Sequence, residues 1–301
     1  MNERKELFKG ILLVIIGAAS YGILATMVAL AYQEGYSTTE VVTSQYLLGL
    51  AIMAVINLLV KKKKGQITTT TDKPTFVKLA AGGIAFGLIG YFYYLSVKYV
   101  PVSVAVVLLM QSIWISIVLE AFITKKLPDI FKCIAVLTVI LGTVFATNAI
   151  NNLQNLDSKG IALGLGGGIM YAVMLLVMNS AGTSIHPYKR SLWMLTFAGI
   201  TVVVIGLFSM PPVFHVSIFW KWGLALAIFG PVLPMILLNM GMPKTGMGLG
   251  AILISIEIPV SVFTAYVFLH EKVAPTQWMG IGVIILSVAL INRKALKAKF
   301  R

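Results

Sequence analysis

Glu257 stands two residues ahead of Pro259, in the middle of Met247–Leu269. That stretch is apolar and 23 residues long, close to what a helix needs to cross a hydrocarbon layer. A carboxylate at that depth costs roughly 2.5 kcal/mol or more. Pro259 has no N–H, so the carbonyl of Ser255, four residues back, lacks its helical donor. Two unfavourable features at the centre of one span point to a polar cavity. There Glu257 can hold a substrate ammonium or a proton, with Ser255 beside it as a further substrate-binding candidate. The competing reading is a carboxyl group hydrogen-bonded to a neighbouring helix for packing alone.

Other residues fall into register with these. Gly10, Gly17 and Tyr21 recur as Gly160, Gly167 and Tyr171 at an offset of 150, which makes Tyr21 and Tyr171 mid-span candidates for the substrate site. Lys126-Leu127 and Lys272-Val273 are 146 apart, and the same offset sets Gln111 opposite Glu257. Gln111 is either a substrate ligand or an ordinary interhelical amide. Trp114 offers a ring for a cationic or aromatic substrate, or fills the core. The run Tyr91–Tyr94 is either an interfacial aromatic belt or part of a pore; successive residues lie about 100° apart on a helix, so only one or two can face a pore, and Tyr93 is the candidate. Pro231 and Pro234 should kink their span and free carbonyls, with the candidate ligand Asn239 further along it. His186, His215 and His270 have no metal-ligand spacing. Gly164, Gly166, Gly167 and Gly168 read as close helix packing, not a phosphate loop.

Glu257-x-Pro259, then His270-Glu271-Lys272, then an apolar helix with Gly280 and Gly282, resembles the second half of the drug/metabolite transporter superfamily, EamA type. The likeness covers about residues 247–290; elsewhere it rests on helix number and repeat. It implies a membrane carrier of amino acids or other small metabolites, most often an exporter. Glu271 matches the family's end-of-helix glutamate, and beside Lys272 it is expected to fix a turn. At the 146 offset, Ile113 replaces the family's proline and Lys125 its glutamate. Span 4 thus departs from the pattern, and span 9 is left as the chemically special one.

These residues need elements to carry them. A chain of 301 residues that is 58% hydrophobic and 11% charged, with a mean hydropathy of +0.93, is no soluble domain, since those carry about a quarter charged residues. The expected class is an all-α polytopic membrane protein. Ten apolar runs can be counted, near 10–32, 41–60, 75–97, 101–124, 130–149, 160–181, 190–210, 218–241, 247–269 and 275–292. The first is too long for a signal-peptide core. Lys61–Lys73 reads as a solvated loop and Asn151–Lys159 as a linker between repeats 1–150 and 151–301. Five spans is an odd number, so the second repeat enters the membrane from the opposite side, giving ten transmembrane helices as two inverted five-helix repeats.

The charge of +14 sits between the runs, which argues against nucleic acid. With the N-terminus inside, 20 Lys and Arg fall on inner segments and 4 on outer ones, so both termini are expected in the cytoplasm of a cell with its inner membrane as host. A single cysteine, Cys133, excludes an intrachain disulfide. Mid-span Lys and Arg are lacking, which disfavours an anionic substrate and favours a zwitterion, neutral molecule or cation. No cofactor is expected, and a proton is a candidate coupling ion. A membrane enzyme acting on lipids is the alternative, but the acidic residues form no acid/base or metal motif.

Overall fold

The computed structural model describes residues 2–64, 72–96, 99–100, 102–146, 157–209, 211, 213–270 and 272–298. All regular structure among them is helical. The first half holds α1 (Asn2–Gln33), α2 (Thr38–Lys64), α3 (Lys73–Ser96), α4 (Val102–Leu109), α5 (Ser112–Thr124) and α6 (Ile130–Ala146). The second holds α7 (Ser158–Ser180), α8 (Pro187–Phe208), a wound segment Phe219–Val232 that includes α9 (Leu224–Ala227), then α10 (Leu233–Thr245), α11 (Met247–Ile254), α12 (Glu257–Phe268) and α13 (Pro275–Ala298).

Eight helical stretches among the described residues are long and apolar enough to cross a membrane, from Glu3–Gln33 to Met247–Phe268. Ile130–Ala146 and Pro275–Leu290 are apolar but shorter. Most of the Asn151–Lys159 linker and the centre of the Lys61–Lys73 loop lie outside the described residues; Lys61–Lys64 continue α2.

Glycines set which helices can touch. A methyl group on Gly10 would sit 2.6 Å from Cβ of Lys244, and one on Gly22 would sit 2.6 Å from the carbonyl oxygen of Glu257. These two bring α1 against α10 and α12. Gly164 and Gly168 do the same for α7 against Leu108 and Leu109 at the end of α4, the close packing that the glycine run implies. A single residue, Gly246 with φ +82°, joins α10 to α11, a backbone state that side-chain-bearing residues resist.

The end of the bundle that carries the N-terminus is tightly filled. Met53, Met178, Met194, Met235, Met242 and Met247 are each at most 1% exposed there, and Leu249–Ile254 are buried around them. Ion pairs border this end, Lys132 with Glu120 at 2.7 Å and Lys244 with Glu6. Towards the opposite end the helices separate around an open volume.

A candidate substrate cavity

The cavity measures about 360 Å³. It runs from Glu257 towards Tyr32 at the end of α1 and Leu269 just beyond α12, with Gln45, Phe86 and Tyr94 on its walls. Of the residues singled out by sequence, Glu257, Tyr21, Tyr171, Tyr93 and Pro231 line it.

Glu257 owes its position to a broken helix. α11 stops at Ile254 and α12 begins at Glu257. The carbonyl of Ser255, which Pro259 cannot serve, accepts instead from the N–H of Ile258 at 3.1 Å, a tighter turn of 3₁₀ type. The discontinuity places the first turn of α12, with its carboxylate, at the inner end of the cavity. Tyr171 of α7 donates its hydroxyl to Oε2 of Glu257 at 3.3 Å. Tyr21 of α1 packs edge-on against Tyr171 with ring centroids 6.5 Å apart. The two tyrosines related by the 150 offset thus pack together, Tyr171 bonded to the carboxylate and Tyr21 not. Thr26 and Thr264, with hydroxyls 2.7 Å apart, tie α1 to α12 nearby.

Pro231 also shapes the wall. Around it, Ile228–Val232 widens to a π-helical turn, a form frequent at functional sites. In that register the N–H of Leu233 serves the carbonyl of Ile228. The next donor would come from Pro234, which has none. The stranded carbonyl of Phe229 accepts from the Ser20 hydroxyl at 2.9 Å. Pro234 itself is buried in the first turn of α10 and does not line the cavity.

Four substrate candidates are elsewhere. Gln111 and Trp114 lie outside the cavity; the Trp114 indole donates to Oε1 of Gln111 at 2.8 Å, and Trp114 is 42% exposed on the outer face of α5. The reason is local. Span 4 is also broken, between α4 and α5, without a proline: the N–H of Gln111 turns to Leu108, and its side-chain Nε2 serves the carbonyl of Val107 at 2.9 Å. Ser255 has the corresponding duty in span 9, donating to the carbonyl of Ile252 at 2.6 Å while fully buried. Asn239 is buried at the closed end, donating to Ser191 at 3.0 Å. Pro259 is buried just after the break, and Glu271 lies outside the described residues. Span 4 departs from the family's residues at Ile113 and Lys125, yet both spans are interrupted, within one residue of the positions that the 146 offset relates.

Sequence reasoning passed over three buried polar groups. The first is Gln45, which lines the cavity with its Oε1 unpaired, as the buried Tyr21 hydroxyl also is. The others are Glu40 and Arg190, 150 apart and each 1% exposed, which mark opposite ends of the bundle. Glu40 caps its own helix through the N–H of Ser37 at 2.6 Å and holds the backbone and ring of His215. Arg190 donates to carbonyls of Met178 at 2.7 Å and Asn239 at 3.0 Å, joining α7, α8 and α10. The signal available was Ser37-x-x-Glu40, a capping box. Among the described residues no group of three His, Cys, Asp or Glu side chains could hold a metal ion.

The sequence is similar to the threonine/homoserine exporter RhtA of Escherichia coli K12, 27% identical over 220 residues that cover 72% of each chain. The RhtA of Salmonella typhimurium SL1344 is 27% identical over 203 residues, 67% of this chain and 66% of that one. A crystal structure of a chain 15% identical in sequence superposes with a TM-score of 0.76, covering 93% of this chain and 96% of the other; that likeness speaks to fold. The profile of the EamA-like transporter family matches twice, over residues 8–148 and again over 158–293, and on that match the chain belongs to the EamA-like transporter family.

Proposed function

We propose that this chain is a secondary transporter that exports a small amino-acid-like or cationic metabolite by alternating access, with Glu257, Tyr171, Tyr21 and Tyr93 as its substrate-binding residues. The observation that carries the reading is one carboxylate at the inner end of a cavity, bonded by Tyr171, against which Tyr21 packs from the matching position of the other half. The export of threonine and homoserine by the curated relatives supports direction and substrate range.

The halves are 1–150 and 151–301, inverted with respect to one another. Support comes from the double family match and from packing. Gly10 faces Thr245 as Gly160 faces Tyr99, and Gly17 faces Leu238 as Gly167 faces Phe92, each pair of partners separated by 146. Both termini lie in the cytoplasm of a cell whose inner membrane holds the protein, on the strength of the Lys and Arg asymmetry. The filled end is then cytoplasmic and the cavity faces outward, the posture from which an exporter releases its cargo. A proton on Glu257 is the candidate coupling ion.

Glu257→Gln keeps shape and removes charge. In purified protein it should weaken binding of the transported ligand by about 2 kcal/mol, roughly 30-fold, through loss of a charge-assisted bond. The melting temperature should hold or rise. Export from loaded proteoliposomes should fall in parallel. Wild-type affinity and export in the variant would make Glu257 a packing residue.

A further inference from the structure

The ligand of this cavity can be narrowed by charge and hydrogen-bonding capacity, an inference that rests on the reading of Glu257 as a substrate-facing group. Among the described residues, the lining contains one carboxylate and no lysine, arginine or histidine side chain. Most of the remaining wall is hydrocarbon or aromatic, including Leu24, Phe86, Ile89 and Val262. Two polar atoms in it are buried and unpaired, Oε1 of Gln45 and the hydroxyl of Tyr21. Gln45 Oε1 can only accept a hydrogen bond, and a tyrosine hydroxyl can accept one. Together with Glu257 they make three acceptors in one cavity, and an alkylammonium group brings three N–H donors.

A free amino acid would bring a carboxylate as well. That group would find neutral hydroxyls and amide N–H groups, the Glu257 charge nearby, and no cation among the described residues. Like charges in a water-poor site repel strongly. A helix N-terminus sometimes receives such a carboxylate, but the first turn of α12 is already occupied by Glu257 itself. Beyond the acid, Tyr32, Tyr93 and Tyr94 form a connected set of rings, with Tyr93 to Tyr94 at 5.6 Å and Tyr32 to Tyr94 at 6.4 Å between centroids. Rings so placed favour cations and apolar bodies.

We infer that this cavity selects a primary amine with an apolar or aromatic body and no carboxylate, in contrast to the zwitterionic amino acids named for the curated relatives. Gln45 and Tyr21 act as the specificity-determining acceptors beside Glu257.

The test is calorimetric titration of the full-length protein in lipid nanodiscs at neutral pH with four ligands. Phenethylamine is the probe; L-phenylalanine adds a carboxylate; N-acetylphenethylamine removes the positive charge; L-threonine stands for the curated relatives' substrates. Phenethylamine is expected to bind at least tenfold more tightly than each of the others. Glu257→Gln should bring it level with its acetylated form, while Glu257→Asp keeps the order of affinities, and Gln45→Leu should weaken phenethylamine severalfold. Phenylalanine or threonine binding as tightly as phenethylamine, with loss in Glu257→Gln, overturns the amine selectivity and leaves the proposed carrier function standing. Absence of phenethylamine binding also overturns it. Ligand affinities that are equal in wild type and Glu257→Gln overturn both.

Discussion

Gln111 and Ser255 show how a polar residue at membrane depth can be consumed by its own backbone. Each sits at a helix break, and each spends its side-chain donor on a backbone carbonyl one turn back. From sequence they are indistinguishable from substrate ligands, because a free amide and a capping amide are the same letter. Glu257 was legible because an ionised carboxylate has no donor to spend on a backbone carbonyl and therefore needs another reason to be there. Tyr21 and Tyr171 were legible through the 150 offset. Gln45 was not, since nothing in its neighbourhood of the chain is unusual; only the fold brings it to the cavity. The distinction is measurable. Gln111→Leu should lower stability by about 1 kcal/mol by leaving the Val107 carbonyl without its partner, and should leave ligand affinity within about twofold. A large loss of affinity at unchanged melting temperature would return Gln111 to the substrate site.

At the scale of the element, the segment from Phe219 to Thr245 combines two π-helical turns with three prolines, of which Pro231 and Pro234 lie in and next to the second turn. The prolines announced a distortion in the sequence, but its form depends on which carbonyl loses its donor and what lies opposite. Here Ser20, from the first helix of the chain, supplies the missing bond to Phe229. A double-mutant cycle isolates this. Ser20→Ala alone should cost about 1 kcal/mol of stability. In a Pro234→Ala background the restored N–H can reach the Phe229 carbonyl, so the same Ser20 change should cost clearly less. Equal costs in both backgrounds would show that Ser20 does not substitute for the proline's missing donor. The break between α4 and α5 lacks any such announcement. Its Met110-Gln111 pair carries neither proline nor glycine, and symmetry of sequence position was the only clue.

For the molecule as a whole, hydropathy revealed the helices but was silent on how their ends meet. The structure gathers the ends of α1 and α8 and the start of α2 at one face, where Glu40 holds His215 and Tyr36 meets the Ser217 hydroxyl at 2.8 Å. The N-terminus and the α7–α8 junction are at the other. With the N-terminus in the cytoplasm, Gln33→Cys in a Cys133→Ser background should react with an impermeant maleimide on intact cells. Thr183→Cys, at an exposed position of the α7–α8 junction, should react only after permeabilisation. The reverse pattern would invert the orientation and turn the open cavity towards the cytoplasm. Arg190 belongs to this scale too. Counted with the inner charges by sequence, it is instead buried, spanning three helices through their carbonyls, and contributes to closing that face.

The methionines that fill the closed end bear on speed. Under the proposed alternating access that end unpacks on every cycle, and each core side chain that has to leave one rotamer well for another adds to the barrier. Unbranched thioethers have three freely turning bonds and fit irregular spaces with little penalty, so Met53, Met178, Met194, Met235, Met242 and Met247 form a seal that can be remade in a different shape. Turnover would then be set less by how firmly the ligand is held than by how readily six flexible side chains exchange one dense arrangement for another.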